Sequence, residues 1–176
     1  MEHLFAPWRL RYIIGDREEG CIFCKRPSEE GKERENLILH VAELSFVILN
    51  KFPYNAGHLM IVPRRHTSDF SSLSVDENRE LSRLLQRSID TLAEVFRPEG
   101  FNVGLNLGRA AGAGIQDHLH WHVVPRWNGD TNFFPLFSDT RSVPQALEET
   151  WEHLAPVFER LCGADSEAAN DPGEDD

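Results

Sequence analysis

No run of about eighteen apolar residues occurs in this 176-residue chain, so it holds no candidate membrane-spanning helix. Basic side chains are scarce, with 18 Lys and Arg against 29 Asp and Glu and a net charge of −11. A protein short of phosphate-neutralising side chains is a poor general binder of nucleic acid, although a local cluster can still hold one small phosphate ligand. The opening Met1-Glu2-His3-Leu4-Phe5-Ala6-Pro7-Trp8 lacks a basic region followed by a long apolar core, so the cytoplasm is expected rather than secretion. No internal repeat is visible. Cysteine is sparse too, with 3 in the chain.

The apolar fraction, 40%, is ordinary, and the length suits one domain with a sizeable core. Residues 1–20 read as an irregular N-terminal segment, with Phe5, Trp8 and Tyr12 as anchors. Residues 163–176, acidic and without Lys or Arg, read as a disordered tail. The domain proper is expected over 21–162. Leu37-Ile38-Leu39, Phe46 to Leu49 and His58 to Pro63 read as strands. Ser74-Val75-Asp76-Glu77 fits a capping box, and Leu81, Leu84, Leu85, Ile89, Leu92 and Phe96 then recur at helical spacing until Pro98 and Gly100. Phe101 to Leu107 reads as another strand. A last helix is expected over Ser142 to Leu161, bent or interrupted at Pro156. Strands with hairpin-length links and two main helices predict an antiparallel α+β domain.

Three histidines at every second position dominate the chemistry: His118-Leu119-His120-Trp121-His122-Val123-Val124-Pro125. The apolar partners and the Val-Val-Pro argue for a strand, so the imidazoles share one side, starting roughly 7 Å apart, while Leu119, Trp121 and Val123 face a core. Imidazole titrates near neutrality, binds metals and acts as a nucleophile. Such a row is a metal site or a catalytic surface; incidental histidines on an exposed strand are the bland alternative.

Cys21-x-x-Cys24 is the second feature. A redox pair of the thioredoxin type belongs at a strand-to-helix junction, whereas Pro27 and charged residues follow here. Half of a zinc site and two idle thiols are the other readings; Cys162 reads as an idle or buried thiol. The loop Gly108-Arg109-Ala110-Ala111-Gly112-Ala113-Gly114 lets backbone N–H groups approach an anion, or is simply a hairpin loop. Asn50 and Asn106 suit ribose hydroxyls and phosphate oxygens, although an Asn at a strand end is often a turn former.

These residues together resemble the histidine triad (HIT) superfamily. His118 to Val124 fits its His-x-His-x-His-x-x motif, and Gly57-His58-Leu59-Met60-Ile61-Val62-Pro63 resembles its Gly-His strand. Cys21-Ile22-Phe23-Cys24 looks like the N-terminal pair of its zinc-binding members. Asn102 to Gly108 and His122 to Phe133 resemble bacterial HIT proteins of the diadenosine tetraphosphate phosphorylase type.

The resemblance implies a HIT-like fold and nucleotidyl transfer or hydrolysis at an α-phosphate. It makes His120 the nucleophile and sets His122 on phosphate or leaving-group oxygens. It implies that Asn50, Asn106, Gly112, Gly114, Gln116 and Trp127 bind the nucleotide, and that Cys21, Cys24, His66 and His118 hold a structural zinc. The implied substrate is an adenine nucleotide or a dinucleoside polyphosphate, with inorganic phosphate or water as acceptor, in a homodimer paired through the helix from Ser74 and an edge strand. Many members carry Gly-Gln-Ser before the triad, whereas this chain reads Gly112-Ala113-Gly114-Ile115-Gln116-Asp117. Leaving-group protonation then falls to His122, solvent or backbone donors, which favours dinucleoside polyphosphates over phosphoramidates. A nucleoside phosphoramidase, a nucleotide-sensing module with slow turnover and a metalloenzyme using all three histidines are the alternatives.

Overall fold

The structure, a computed structural model, describes residues 20–130 and 146–168, the side chains of 164–168 excepted. The residues 1–19, 131–145 and 169–176, including Pro144 and most of the expected N-terminal segment and acidic tail, lie outside it. Five strands form one antiparallel sheet: β1 (Ile38–Val41), β2 (Ser45–Leu49), β3 (Leu59–Pro63), β4 (Gly100–Leu105) and β5 (Trp121–Arg126), in the order β1-β2-β3-β5-β4. The expected α+β class and antiparallel sheet are therefore present.

A single turn of helix, α1 (Ile22–Lys25), precedes the sheet. The long helix α2 (Val75–Phe96) starts as the sequence dictates: the Ser74 hydroxyl accepts the Glu77 amide and the Glu77 carboxylate accepts the Ser74 amide. It ends at Arg97 in the left-handed region, one residue before Pro98. Helix α3 (Leu147–Ala168) packs on α2 and β1.

Three boundaries differ from the sequence expectation. Helix α3 passes through Pro156 without interruption. Proline removes a bond to the Glu152 carbonyl, but both residues face solvent, where water replaces it. The helix also runs to Ala168, past the position where the acidic tail was expected to begin; Ala164 and Ala168 favour helix. Finally, the histidine strand begins only at Trp121. The Leu119 amide donates to the Thr67 carbonyl (2.8 Å) rather than to a sheet partner, so His118 and His120 stand just before the ladder.

The sheet faces explain the packing. In register, Phe46 pairs with Val62, Ile48 with Met60, and Met60 with His122, so these lie on one face. Val47, Leu49, Leu59, Ile61 and Val123 lie on the other, and all are buried in the core shared with α2 and α3. Gly57 turns the chain into β3 at φ +74°, and a Cβ there would stand 3.0 Å from Leu92 and 3.1 Å from Phe96. Only glycine lets the turn lie this close to α2.

Candidate active site

The triad face is closed over by Phe23 of α1. Its ring lies 5.5 Å from that of His118 and 5.2 Å from that of His120, measured between centroids. Both imidazoles are thereby almost completely buried, and the exposed row of histidines is not found. Leu119 and Val123 are buried on the opposite side as expected, while Trp121 is half-buried beside Phe70. The rings of His120 and His122 lean together to 5.0 Å, edge to face.

Each imidazole is held in one tautomer by its partners. His120 Nδ1 lies 2.8 Å from the carbonyl of His118. A carbonyl only accepts, so Nδ1 carries the proton and Nε2 keeps its lone pair. His118 Nε2 likewise donates to the Pro63 carbonyl (2.7 Å), which leaves Nδ1 as its lone-pair atom. A fourth histidine, His58, is completely buried. Its Nδ1 accepts the Tyr54 amide (3.1 Å), with Asn50 Nδ2 3.3 Å away, so its proton sits on Nε2. That proton points at His122 Nδ1, 2.9 Å distant, and His122 therefore presents its own N–H at Nε2.

Burial also sets the charge of the group. It pushes His58 down to about 3, helped by His122 and His120 nearby, and His122 down to about 4, with His120 adding to the effect. His120 is lowered by burial against the opposing hydrogen bond to the His118 carbonyl. Neutral imidazoles at neutral pH supply one lone pair, on His120, and one N–H, on His122. That is the equipment for attack on phosphorus and for stabilising a departing oxygen.

The expected metal ligands converge. The donor atoms of Cys21, Cys24, His66 and His118 all lie within 4.8 Å of one another. His118 Nδ1 is 3.3 Å from Cys21 Sγ and 3.7 Å from Cys24 Sγ, and His66 Nδ1 is 3.3 Å from Cys24 Sγ. Tetrahedral zinc with bonds of about 2.0–2.3 Å separates its donors by roughly 3.3–3.8 Å, so the four residues fit such an ion. The lone-pair atom of His118 faces the sulfurs, as ligation requires. Arg65, next to His66, is anchored by Nε and Nη2 on the Glu77 carboxylate (2.8 and 3.0 Å), so the start of α2 fixes the segment that carries His66.

The expected nucleotide-binding residues are placed less uniformly. Asn50 follows β2 against His58; its Oδ1 accepts the Phe52 amide (2.9 Å), leaving an acceptor lone pair and a donor for a ligand. Asn106 follows β4, and since Gly104 pairs with His122 and Leu105 with Trp121, the register carries Asn106 toward His120. Gly112, at φ +84°, ends a 3-10 turn over Arg109–Ala111; with exposed Gly114 and Gln116 it forms the approach to His118. Trp127 lies beyond the end of β5, roughly 16 Å along the strand from His122. Its amide donates to Asp130 (3.2 Å), and the structure does not bring it against the imidazoles.

Sequence reasoning passed over His58 as a site residue and Phe23 as its cover. The signal for His58 was present: it stands two residues before Met60 and so shares that face. Phe23 had no such signal, because its position depends on a contact across the sheet.

One region of the sheet thus brings together four neutral histidines, three of them buried, beside a Cys/His cluster. The chain belongs to the HIT domain family, whose profile matches residues 31–129. It is 44% identical over 169 residues to a Mycobacterium tuberculosis protein named AP-4-A phosphorylase, covering 91% of this chain and 86% of that one. A Dictyostelium discoideum bis(5'-adenosyl)-triphosphatase is 29% identical, over 72% of this chain and 88% of that one. Among solved structures, a zinc-bound histidine triad protein from Mycobacterium smegmatis superposes with a TM-score of 0.65 at 26% identity, covering 82% of this chain and 97% of that one.

Proposed function

We propose that this chain cleaves dinucleoside polyphosphates, such as diadenosine tetraphosphate, at an α-phosphate through a nucleotidyl-His120 intermediate. The observation that carries the reading is the bond from His120 Nδ1 to the His118 carbonyl, which leaves Nε2 as the attacking lone pair. The P–N bond forms as the bond from phosphorus to the bridging oxygen breaks, and His122 Nε2–H stabilises the departing oxygen. Phosphate or water then attacks phosphorus and restores His120. Asn50 and Asn106 hold ribose and phosphate, with backbone amides of the Gly112–Gly114 loop and Gln116 at the phosphates and Trp127 at the outer edge. The names of the M. tuberculosis and D. discoideum relatives support this substrate class.

Incubation with diadenosine tetraphosphate, with and without inorganic phosphate, tests it. Phosphorolysis yields ADP and ATP; hydrolysis yields AMP and ATP. No cleavage under either condition rejects the reading.

Residues 21–162 form the working domain in this reading, and the cytoplasm is its compartment. Cys21, Cys24, His66 and His118 would hold zinc as a closed structural site that ties α1 to the segment carrying the nucleophile. Homodimerisation fits two surfaces. The edge strand β4 leaves Val103 exposed, and α2 leaves Leu85, Ile89, Val95 and Phe96 half-buried. Sedimentation at micromolar concentration is expected to give about twice the 20.1 kDa chain mass.

A further inference from the structure

The β2–β3 turn supplies the Tyr54 amide that fixes the His58 proton, and something must hold that turn. Asn55, the next residue, spends both of its side-chain N–H bonds on the far end of β5. Its Nδ2 donates to the Pro125 carbonyl (3.0 Å) and to Asp130 Oδ2 (2.8 Å). The Asp130 side chain is only 11% exposed and gathers further donors: Arg126 Nε (2.6 Å), Arg126 Nη2 (2.9 Å) and the Trp127 amide (3.2 Å). Arg126 Nη1 reaches on to Asn102 of β4 (2.7 Å). The Asn55 carbonyl meanwhile accepts the His58 amide (3.2 Å). The turn is thus pinned at Asn55, between Tyr54 and His58, by a tie that spans 75 residues of sequence.

We propose that Asn55 and Asp130 are positioning residues that clasp the β2–β3 turn, so that Tyr54 fixes the His58 proton on Nε2 and His58 in turn fixes the His122 proton on Nε2. The proposal rests on the reading of His122 as the donor to the departing oxygen. Loss of the clasp frees the turn, and the Tyr54 and Asn50 donors move off His58 Nδ1. His58 can then carry its proton on Nδ1 and present a lone pair to His122. That partner draws the His122 proton onto Nδ1, where it no longer faces the substrate. A clasp that merely stabilised the fold would leave the tautomers unchanged.

The experiment uses the full chain with 15N-labelled histidine. The nitrogen spectra of the imidazoles report which atom is protonated. Four proteins are compared: wild type, Asn55→Ala, Asp130→Asn, and Leu154→Ala, a core truncation in α3, which packs on α2 and β1 rather than on the strands of His58 and His122. Wild-type His122 is expected to carry its proton on Nε2. Both clasp variants are expected to show a tautomer mixture at His122, with kcat on diadenosine tetraphosphate lowered on the order of 10-fold and KM within about twofold. Leu154→Ala is expected to melt earlier with the wild-type tautomer. A wild-type His122 protonated on Nδ1 overturns the proposal, and so do folded clasp variants that keep the wild-type tautomer. If Asn55→Ala does not fold, Asp130→Asn, which preserves shape, decides alone. Absence of turnover in the wild type would reject the function, while the nitrogen spectra would still judge the clasp.

Discussion

His58 Nε2 stands 2.9 Å from His122 Nδ1, and the proton between them belongs to His58. The assignment follows from the other side of the ring, where the Tyr54 amide donates to His58 Nδ1. A completely buried imidazole thus orients an accessible one without touching substrate itself. The same logic runs through the His118 carbonyl to His120, so two backbone groups set the protonation pattern of His58, His122 and His120.

His120→Ala is expected to lower turnover by a factor on the order of 10⁶ while nucleotide binding remains. Nucleotide affinity from calorimetry, set beside single-turnover rates, checks this. Near-normal turnover in the variant would remove His120 from the nucleophile's role.

The wild-type protein is expected to carry about one zinc per chain, and Cys21→Ser to lose it together with several degrees of melting temperature. Metal analysis of chelator-free preparations reads the first outcome and calorimetry the second. Carefully purified protein without metal would reject the site.

Acid is expected to destabilise the fold through its buried histidines. His58 sits near 3 and His122 near 4 when folded, against an ordinary value of 6.5, and burial is the main cause. Below about 6.5 the unfolded chain binds protons that the folded one refuses, so the contribution present above that pH is lost as pH falls toward 4 and then 3. The melting temperature should therefore decline between about pH 6.5 and pH 5, before most carboxylates protonate. An unchanged value over that interval would show that the imidazoles are not held neutral.

Gly57→Ala is expected to cost about 2 kcal/mol. An alanine at φ +74° is strained by about 1–2 kcal/mol, and its Cβ would press on Leu92 and Phe96. Denaturant melts measure the loss, and a variant as stable as wild type would refute the close approach.

The local features were legible in the sequence because they are written in neighbouring residues. The capping box at Ser74 and Glu77 lies within one turn, and short continuous apolar runs mark β2 and β3. The triad is a motif of period two, and the Cys21–Cys24 spacing suits a shared ligand. What escaped was non-local. The start of β5 depends on whether the Leu119 amide finds a strand or the Thr67 carbonyl. The burial of His118 and His120 depends on Phe23, nearly a hundred residues earlier. The ties of Asn55 to Asp130 and of Arg65 to Glu77 depend on which elements become neighbours, and no window of sequence contains that information.

His122 lies inside the sheet ladder, opposite Met60 and Gly104, whereas His120 stands just outside it. The segment around His120 is tied instead by the Leu119 amide to Thr67, by His118 to Pro63, and by the sulfur cluster. Opening that segment breaks fewer bonds than opening the sheet, so it is the cheaper fluctuation. Inactivation is therefore expected to precede global unfolding in this chain. Damage around Thr67 is expected to silence the enzyme while its circular dichroism and melting curve still report a native protein.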